Sequence, residues 1–321
     1  MKTHVIISGG SKGIGKAVAI EYASLGADVT IIARGKKDLA EAKDEIEKNR
    51  KRPDQKVRTV SLDLTKIKFP TPSSDANDET PLEHDATTRE ILGEQGVCDI
   101  LINCCGSAIP TRFEDLTQEQ FHYMMDINYF SAVNLTRLLL PAIKLRSAQH
   151  KTNQTSTCRI VFVSSMCGLM SFYGYSAYSA SKFALVGLAE ALQMELEQYG
   201  IRITVSFPPD TETPGLEAEN RLKPPATAEI SKSGSLYSPQ DVARSIVRDV
   251  DAKRFFSTVG LENWLAVTAS NAFMPNTLVR SLFESLIAGP LKLVAFLLVR
   301  SWYGIVRRSV ATGDSIDRKS S

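Results

Sequence analysis

Eight residues near the N-terminus constrain this chain more than anything that follows. They read Ser8-Gly9-Gly10-Ser11-Lys12-Gly13-Ile14-Gly15, between the apolar run His4-Val5-Ile6-Ile7 and a helical stretch from Gly15 to Leu25. Glycines at a strand-to-helix turn let the backbone bend sharply and let a phosphate approach it, and the first N–H groups of the helix have no partner inside it. Such a turn predicts a parallel βαβ unit with a pyrophosphate site, held by Gly9, Ser11, Lys12, Gly13 and Gly15. Residues Gly10 to Ala17 also approach the triphosphate loop GxxxxGK[ST]. Ala17, however, stands where that loop needs a hydroxyl for Mg²⁺, so the dinucleotide reading is preferred.

The same rhythm continues. Short β-branched runs at Asp28–Ala33, Val57–Asp63, Ile100–Cys104, Arg159–Ser164 and Ile201–Phe207 alternate with helical stretches at Lys36–Arg50, Ala180–Tyr199 and Gln240–Ala252. The pattern predicts an α/β fold, a doubly wound parallel sheet. Hydrophobic residues make up 43% and charged residues 23%, enough for a large core and against disorder. Lys and Arg number 38 against 36 Asp and Glu, a net charge of +2 that gives no reason to expect nucleic acid as a partner. Five cysteines without a CxxC pair, and four histidines at no ligand spacing to them, predict a reducing compartment and no metal. No signal peptide is visible ahead of the first strand.

Two segments break the rhythm. Residues 66–85 are rich in Pro, Ser, Thr, Asp and Glu and read as a surface insertion. Residues 208–238 carry five prolines and read as an irregular lid over the carboxyl edge of the sheet. Residues 1–260 are expected to form the main domain, and 261–321 an apolar C-terminal segment with a polar tail.

The second strand runs into Ile32-Ala33-Arg34-Gly35-Lys36-Lys37, where a cofactor with a free 2′-hydroxyl usually meets an acid. The planar fork of Arg34, with Lys12 and Lys37 beside it, suits a 2′-phosphate, so NADPH is the expected cofactor. Farther on, Tyr178-Ser179-Ala180-Ser181-Lys182 places a phenol and an ammonium one helical turn apart, thirteen residues after Ser165 at a strand end. A phenol with a reference pKa of about 10 transfers protons at neutral pH only beside a cation such as Lys182, while Ser165 can bond a substrate oxygen.

With these residues the chain resembles the short-chain dehydrogenase/reductase family, which implies a Rossmann-like fold. The resemblance implies a catalytic tetrad of Asn128, Ser165, Tyr178 and Lys182, a cofactor wall at Asn103-Cys104-Cys105-Gly106, and an adenine contact at Asp63. Pro208-Pro209-Asp210-Thr211-Glu212-Thr213-Pro214-Gly215 and Glu219-Asn220-Arg221-Leu222-Lys223-Pro224 are similar to the branch of the family that reduces long-chain sphingoid ketones. Further similar stretches are Phe113-Glu114-Asp115-Leu116, Gly187–Glu195 and Ile305-Val306-Arg307-Arg308. That branch implies NADPH-dependent ketone reduction in sphingolipid metabolism, at the endoplasmic reticulum membrane with the active site facing the cytosol. A homo-oligomer is expected. A reductase for a steroid or retinoid, and a catalytically silent NADPH-binding partner, stay open.

Residues Leu278 to Val306 are apolar in patches, with Gly289-Pro290 and Lys292 interrupting them, so the longest clean run is too short to span a bilayer. Arg300, Trp302, Tyr303, Arg307 and Arg308 flank them as interfacial anchors do. Either a buried helix or dimer face, or an interfacial hairpin on a membrane surface, is expected there.

Overall fold

The computed structural model describes residues 3–67, 86–153, 158–232, 234–270 and 278–317. The expected insertion at 66–85 lies outside the described residues except for its first two positions. The first half contains β1 (His4–Ser8), α1 (Gly13–Leu25), β2 (Asp28–Ala33), α2 (Lys36–Lys48), β3 (Val57–Ser61) and α3 (Ala86–Leu92). Then come β4 (Ile100–Asn103), α4 (Gln118–Met125), α5 (Ser131–Asn153), β5 (Arg159–Val163), α6 (Ser176–Glu197) and β6 (Arg202–Ser206). The remainder holds α7 (Pro214–Asn220), α8 (Pro225–Ser231), α9 (Pro239–Asp251), β7 (Phe256–Ser257), α10 (Gly260–Ser270) and α11 (Leu278–Asp317).

The strands form one parallel sheet in the order β3-β2-β1-β4-β5-β6-β7. Alternation along β1 feeds both layers: Ile6 joins the core on one side, Val5 and Ile7 the core on the other. Helices cover both faces, which explains why all of β1 and β4 is buried. The chain leaves β3 at one edge and re-enters at β4, so β1 and β4 diverge at their carboxyl ends and open a crevice there.

Several boundaries differ from those read off the sequence. The third strand stops at Ser61, because Asp63 caps the next turn by accepting the Thr65 N–H at 3.1 Å. Helix α6 starts at Ser176 rather than Ala180, which puts Tyr178 inside its first turn. The lid is more regular than expected. Thr213 caps α7 by accepting the Leu216 N–H at 3.1 Å, and Pro214 and Pro225 start α7 and α8. Its two ends are laced together, with the Tyr237 N–H donating to Asp210 O at 3.0 Å and the Glu212 N–H to Tyr237 O at 2.9 Å.

The C-terminal expectation is corrected most. Gly289-Pro290 does not break the segment into a hairpin, for α11 runs through both as one helix. A proline inside a helix removes one hydrogen bond and bends the axis, and the Leu, Ala and Ile around it are good enough helix formers to carry the helix on. Ser285–Ser309 is long and apolar enough, by length and composition, to cross a bilayer, and it is not buried in the protein. Leu286, Leu293, Phe296, Leu297 and Tyr303 are all exposed. Helix α10, by contrast, joins the body, with Val267 in the main core.

Candidate active site

The crevice deepens into a cavity of about 960 Å³ that runs from the glycine turn past Tyr178 to Leu298 and Trp302. At the first end the glycines are fixed by close approach. Gly9 has φ +66°, and a Cβ there would lie 2.8 Å from Cys104 O; one on Gly15 would lie 2.4 Å from Gly9 O. Gly13, at φ +53°, faces the methyl of Thr213 at 3.0 Å from where a Cβ would be. Helix α1 has neither a side-chain cap nor an acid in its first turn, so its leading N–H groups are left for a ligand.

Gly9, Ser11, Lys12, Gly13, Gly15, Arg34 and Asp63 all line the cavity. Lys12 is paired with Asp38 at 2.8 Å, and Asp38 is itself a lining residue. A hydrogen bond from the Thr65 hydroxyl, more than the nearby Arg34, holds the Asp63 carboxyl below its usual range. Two expected contacts are absent from the lining. The Lys37 side chain is 90% exposed, beside Glu41. Asn103 is buried, its amide donating to Thr136 Oγ1 at 3.0 Å; the wall is made instead by Cys104, Cys105 and Gly106. Ser8 Oγ fixes that wall by accepting the N–H groups of Cys104 and Cys105 at 3.0 and 3.2 Å.

Mid-cavity, four side chains from three elements converge. Ser165 follows β5 and caps a short turn, its hydroxyl accepting the Cys167 N–H at 3.1 Å, and it lines the cavity beside Tyr178. Lys182, one turn after Tyr178 and almost wholly buried, donates from Nζ to Val163 O at 3.0 Å and lies 5.7 Å from the Tyr178 ring centre. Asn128 sits in a π-turn at Asp126–Phe130, a local widening common at functional positions. It accepts the Ser107 N–H at 3.0 Å and donates to Ser107 O at 2.9 Å and Ser181 Oγ at 3.1 Å. Gly106 is the close pass between them: a Cβ there would meet Asn128 Oδ1 at 2.7 Å and Lys182 Nζ at 3.2 Å.

Residues 3–223 match the family model described as short chain dehydrogenase. The chain belongs to the short-chain dehydrogenase family. Its similar proteins include the 3-ketodihydrosphingosine reductase of Bos taurus, 37% identical over 95% of this chain and 86% of that one. The 3-dehydrosphinganine reductase of Danio rerio is 35% identical over 95% and 86%, and one from Arabidopsis thaliana 35% over 95% and 84%. Among solved structures, a 3-ketoacyl-(acyl-carrier-protein) reductase from Brucella melitensis complexed with NADH aligns with a TM-score of 0.63. It is 23% identical and the alignment covers 81% of this chain and 96% of that one. Levodione reductase aligns at 0.66, 20% identical, over 83% and 98%. Both share the fold.

As a short-chain dehydrogenase the chain is an oxidoreductase, and its cradle fits a nicotinamide dinucleotide. The glycines that exclude a Cβ and the uncapped start of α1 would hold the pyrophosphate, with Asp63 at the adenine end. Burial pushes the Tyr178 phenol well above its usual pKa and pulls Lys182 down to about 8. Both groups are desolvated, and the Lys182 ammonium is turned to Val163 O.

Sequence reasoning quoted one group only as part of a motif. Glu219 accepts a hydrogen bond from the Tyr175 hydroxyl and lies 3.4 Å from Lys223, which also reaches Asp210 at 3.5 Å. Tyr175, Glu219 and Asp210 line the cavity, and the Tyr175 and Tyr178 rings are 5.7 Å apart. Nothing in the local spacing marks these residues, since Tyr175 and Glu219 are 44 positions apart. A second cluster lies away from the site: Asp99, His150 and Cys158 bring metal-ligand atoms within 4.8 Å of one another. Arg146 already binds Asp99 at 2.6 Å, so a metal cation there would face a guanidinium.

Proposed function

We propose that this short-chain dehydrogenase reduces 3-ketodihydrosphingosine (3-dehydrosphinganine) to dihydrosphingosine with NADPH, in sphingolipid biosynthesis. The observation that carries the reading is one cavity joining a dinucleotide cradle, the Ser165–Tyr178–Lys182 group and an apolar end walled by Phe172, Leu298 and Trp302. The names of its similar proteins support the same substrate.

The bound dinucleotide supplies the hydride. Ser165 Oγ donates to the carbonyl oxygen, and the Tyr178 hydroxyl hands its proton to the alkoxide as it forms. A charged Lys182 makes the phenolate less unfavourable and holds the nicotinamide ribose, and Asn128, through Ser107, positions the water that returns the proton. Arg34 at the rim of the adenine end favours the 2′-phosphate of NADPH over NADH. A tail of many methylenes, each worth about 0.8 kcal/mol on burial, draws its affinity from the apolar end.

Residues 1–260 carry the catalytic groups and α10 packs with them, while α11 supplies the attachment along with Leu298 and Trp302 of the cavity wall. Helix α11 holds the enzyme on the endoplasmic reticulum membrane with the cavity facing the cytosol, supported by its exposed apolar face. Replacing Leu293 and Leu297 by Glu should move the protein from sedimented membranes to the supernatant; retention in the pellet would sink this part. Exposed Phe130, Leu145, Phe183 and Met194 support a homo-oligomer, which light scattering would test.

The decisive assay follows NADPH oxidation by the purified full chain with 3-ketodihydrosphingosine, a steroid ketone and retinal. The sphingoid ketone should have the highest kcat/KM by at least about tenfold. Faster turnover of the steroid or retinal replaces the substrate, and no turnover of any leaves a silent cofactor-binding protein.

A further inference from the structure

The cavity wall beside Tyr178 is not uniformly apolar. Asp210 and Glu219 place two carboxylates on it, and among the described residues the cation that both contact is Lys223. The Lys223 side chain is only 2% exposed and does not line the cavity, whereas both acids do. The ammonium thus lies behind the acids, and the cavity side of the group carries the surplus negative charge. The second support is Tyr175, buried, whose hydroxyl donates to Glu219 while its ring packs on that of Tyr178. Glu219 is thereby held at a fixed place relative to the phenol. Burial raises its carboxyl above the usual range, against the lowering effect of Tyr175 and Lys223.

A ketone that is only hydrocarbon gives such a wall no purpose. A ketone with an amino group on the carbon next to the carbonyl gives it one, because Glu219 is tied to Tyr175, whose ring lies 5.7 Å from that of Tyr178. We propose that Glu219, joined by Asp210 and backed by Lys223, binds the ammonium group of an α-amino ketone substrate and so selects it from neutral ketones. The inference rests on the sphingoid-ketone reading and adds how the polar head is recognised. Lys223 keeps the pair of acids from repelling each other in the empty enzyme, and the substrate's ammonium completes the charge balance.

The test compares 3-ketodihydrosphingosine with its desamino analogue, the same chain, carbonyl and hydroxyl with hydrogen for the amino group. Both are assayed with NADPH on the full chain and on Glu219→Gln and Asp210→Asn. Since an α-ammonium also activates its own carbonyl, the change in the kcat/KM ratio decides, rather than the ratio itself. Glu219→Gln should lower the amino-to-desamino ratio about 30-fold, mainly through KM of the amino ketone, and Asp210→Asn should lower it less. Glu219→Asp should restore part of it.

A ratio that stays within about twofold of wild type in a Glu219→Gln protein that still binds NADPH overturns the proposal, as does an equal loss on both ketones, the sign of a merely structural role. Should Glu219→Gln fail to bind NADPH, Asp210→Asn decides by the same ratio. A wild type that prefers the desamino ketone overturns it without any variant. A wild type that reduces neither ketone removes the sphingoid reading, and this proposal with it.

Discussion

The two ends of the cavity are built in opposite ways. The dinucleotide end is backbone: a turn whose glycines touch Cys104 and Gly9 main chain, a helix start, and strands buried throughout. Its glycines are near neighbours in sequence. The substrate end is side chains delivered from afar, with Phe172 before α6, Glu219 on α7, Ile230 on α8 and Trp302 on α11. Phe172 and Trp302, 130 positions apart, meet edge-on at 5.0 Å. A backbone cradle holds the pyrophosphate common to all dinucleotides, with Arg34 at its rim to tell them apart, whereas a side-chain wall can be rebuilt one residue at a time. Selectivity for the ketone is therefore expected to reside in that side-chain wall.

Substitutions at the two ends put that contrast to the test. The largest effect is expected between the ends: Tyr178→Phe should lower kcat at least about 10³-fold while NADPH titration gives a nearly normal Kd. Near-normal turnover would assign the proton to another group. At the cradle, Arg34→Asp should swing the ratio of kcat/KM for NADPH over NADH by about 100-fold, by trading attraction for repulsion at the 2′-phosphate. Equal use of both cofactors by the wild type would remove Arg34 from that role.

Next comes a stability effect. Lys182→Met should abolish turnover yet stabilise the cofactor-free protein at neutral pH by about 2 kcal/mol, the burial penalty less one hydrogen bond to Val163. The sign follows from Lys182 titrating near 8 when folded and at 10.5 when not. Between those values the unfolded chain binds more protons, so wild-type stability rises with pH and the advantage of Met shrinks. Denaturant melts at pH 7 and pH 10 check it; a Met variant less stable at pH 7 fails it. The smallest effect belongs to the far end. Trp302→Ala should raise KM about tenfold for the long-chain ketone and hardly for a short-chain one. An equal rise for both would make Trp302 a packing residue only.

This division also explains what could be read from the sequence. The glycine turn and the spacing of Ser165, Tyr178 and Lys182 are legible because strand, turn and helix periodicities put them at one sheet edge without reference to distant residues. Asn128 came from the resemblance alone, since its π-turn has no periodicity to read. Strand β7 is two residues long and exists because β6 offers an edge to pair with. The Glu219–Tyr175–Lys223 group and the Asp99–Arg146–His150 group are products of tertiary packing, and only coordinates bring them together. Helix α11 misled in the other direction: Gly289-Pro290 is a sound local stop signal that long apolar flanks overrode.

One contact ties the two ends together. Thr213 caps the same lid helix that carries Glu219, and its methyl rests against Gly13 of the phosphate turn. A single roof thus bears on both compartments, and whatever settles under its first edge sets the position of its second. Reactants are then expected to enter in a compulsory order, dinucleotide before ketone, and to leave in reverse. Steady-state patterns would display it, with NADP⁺ competing against NADPH while the alcohol product does not.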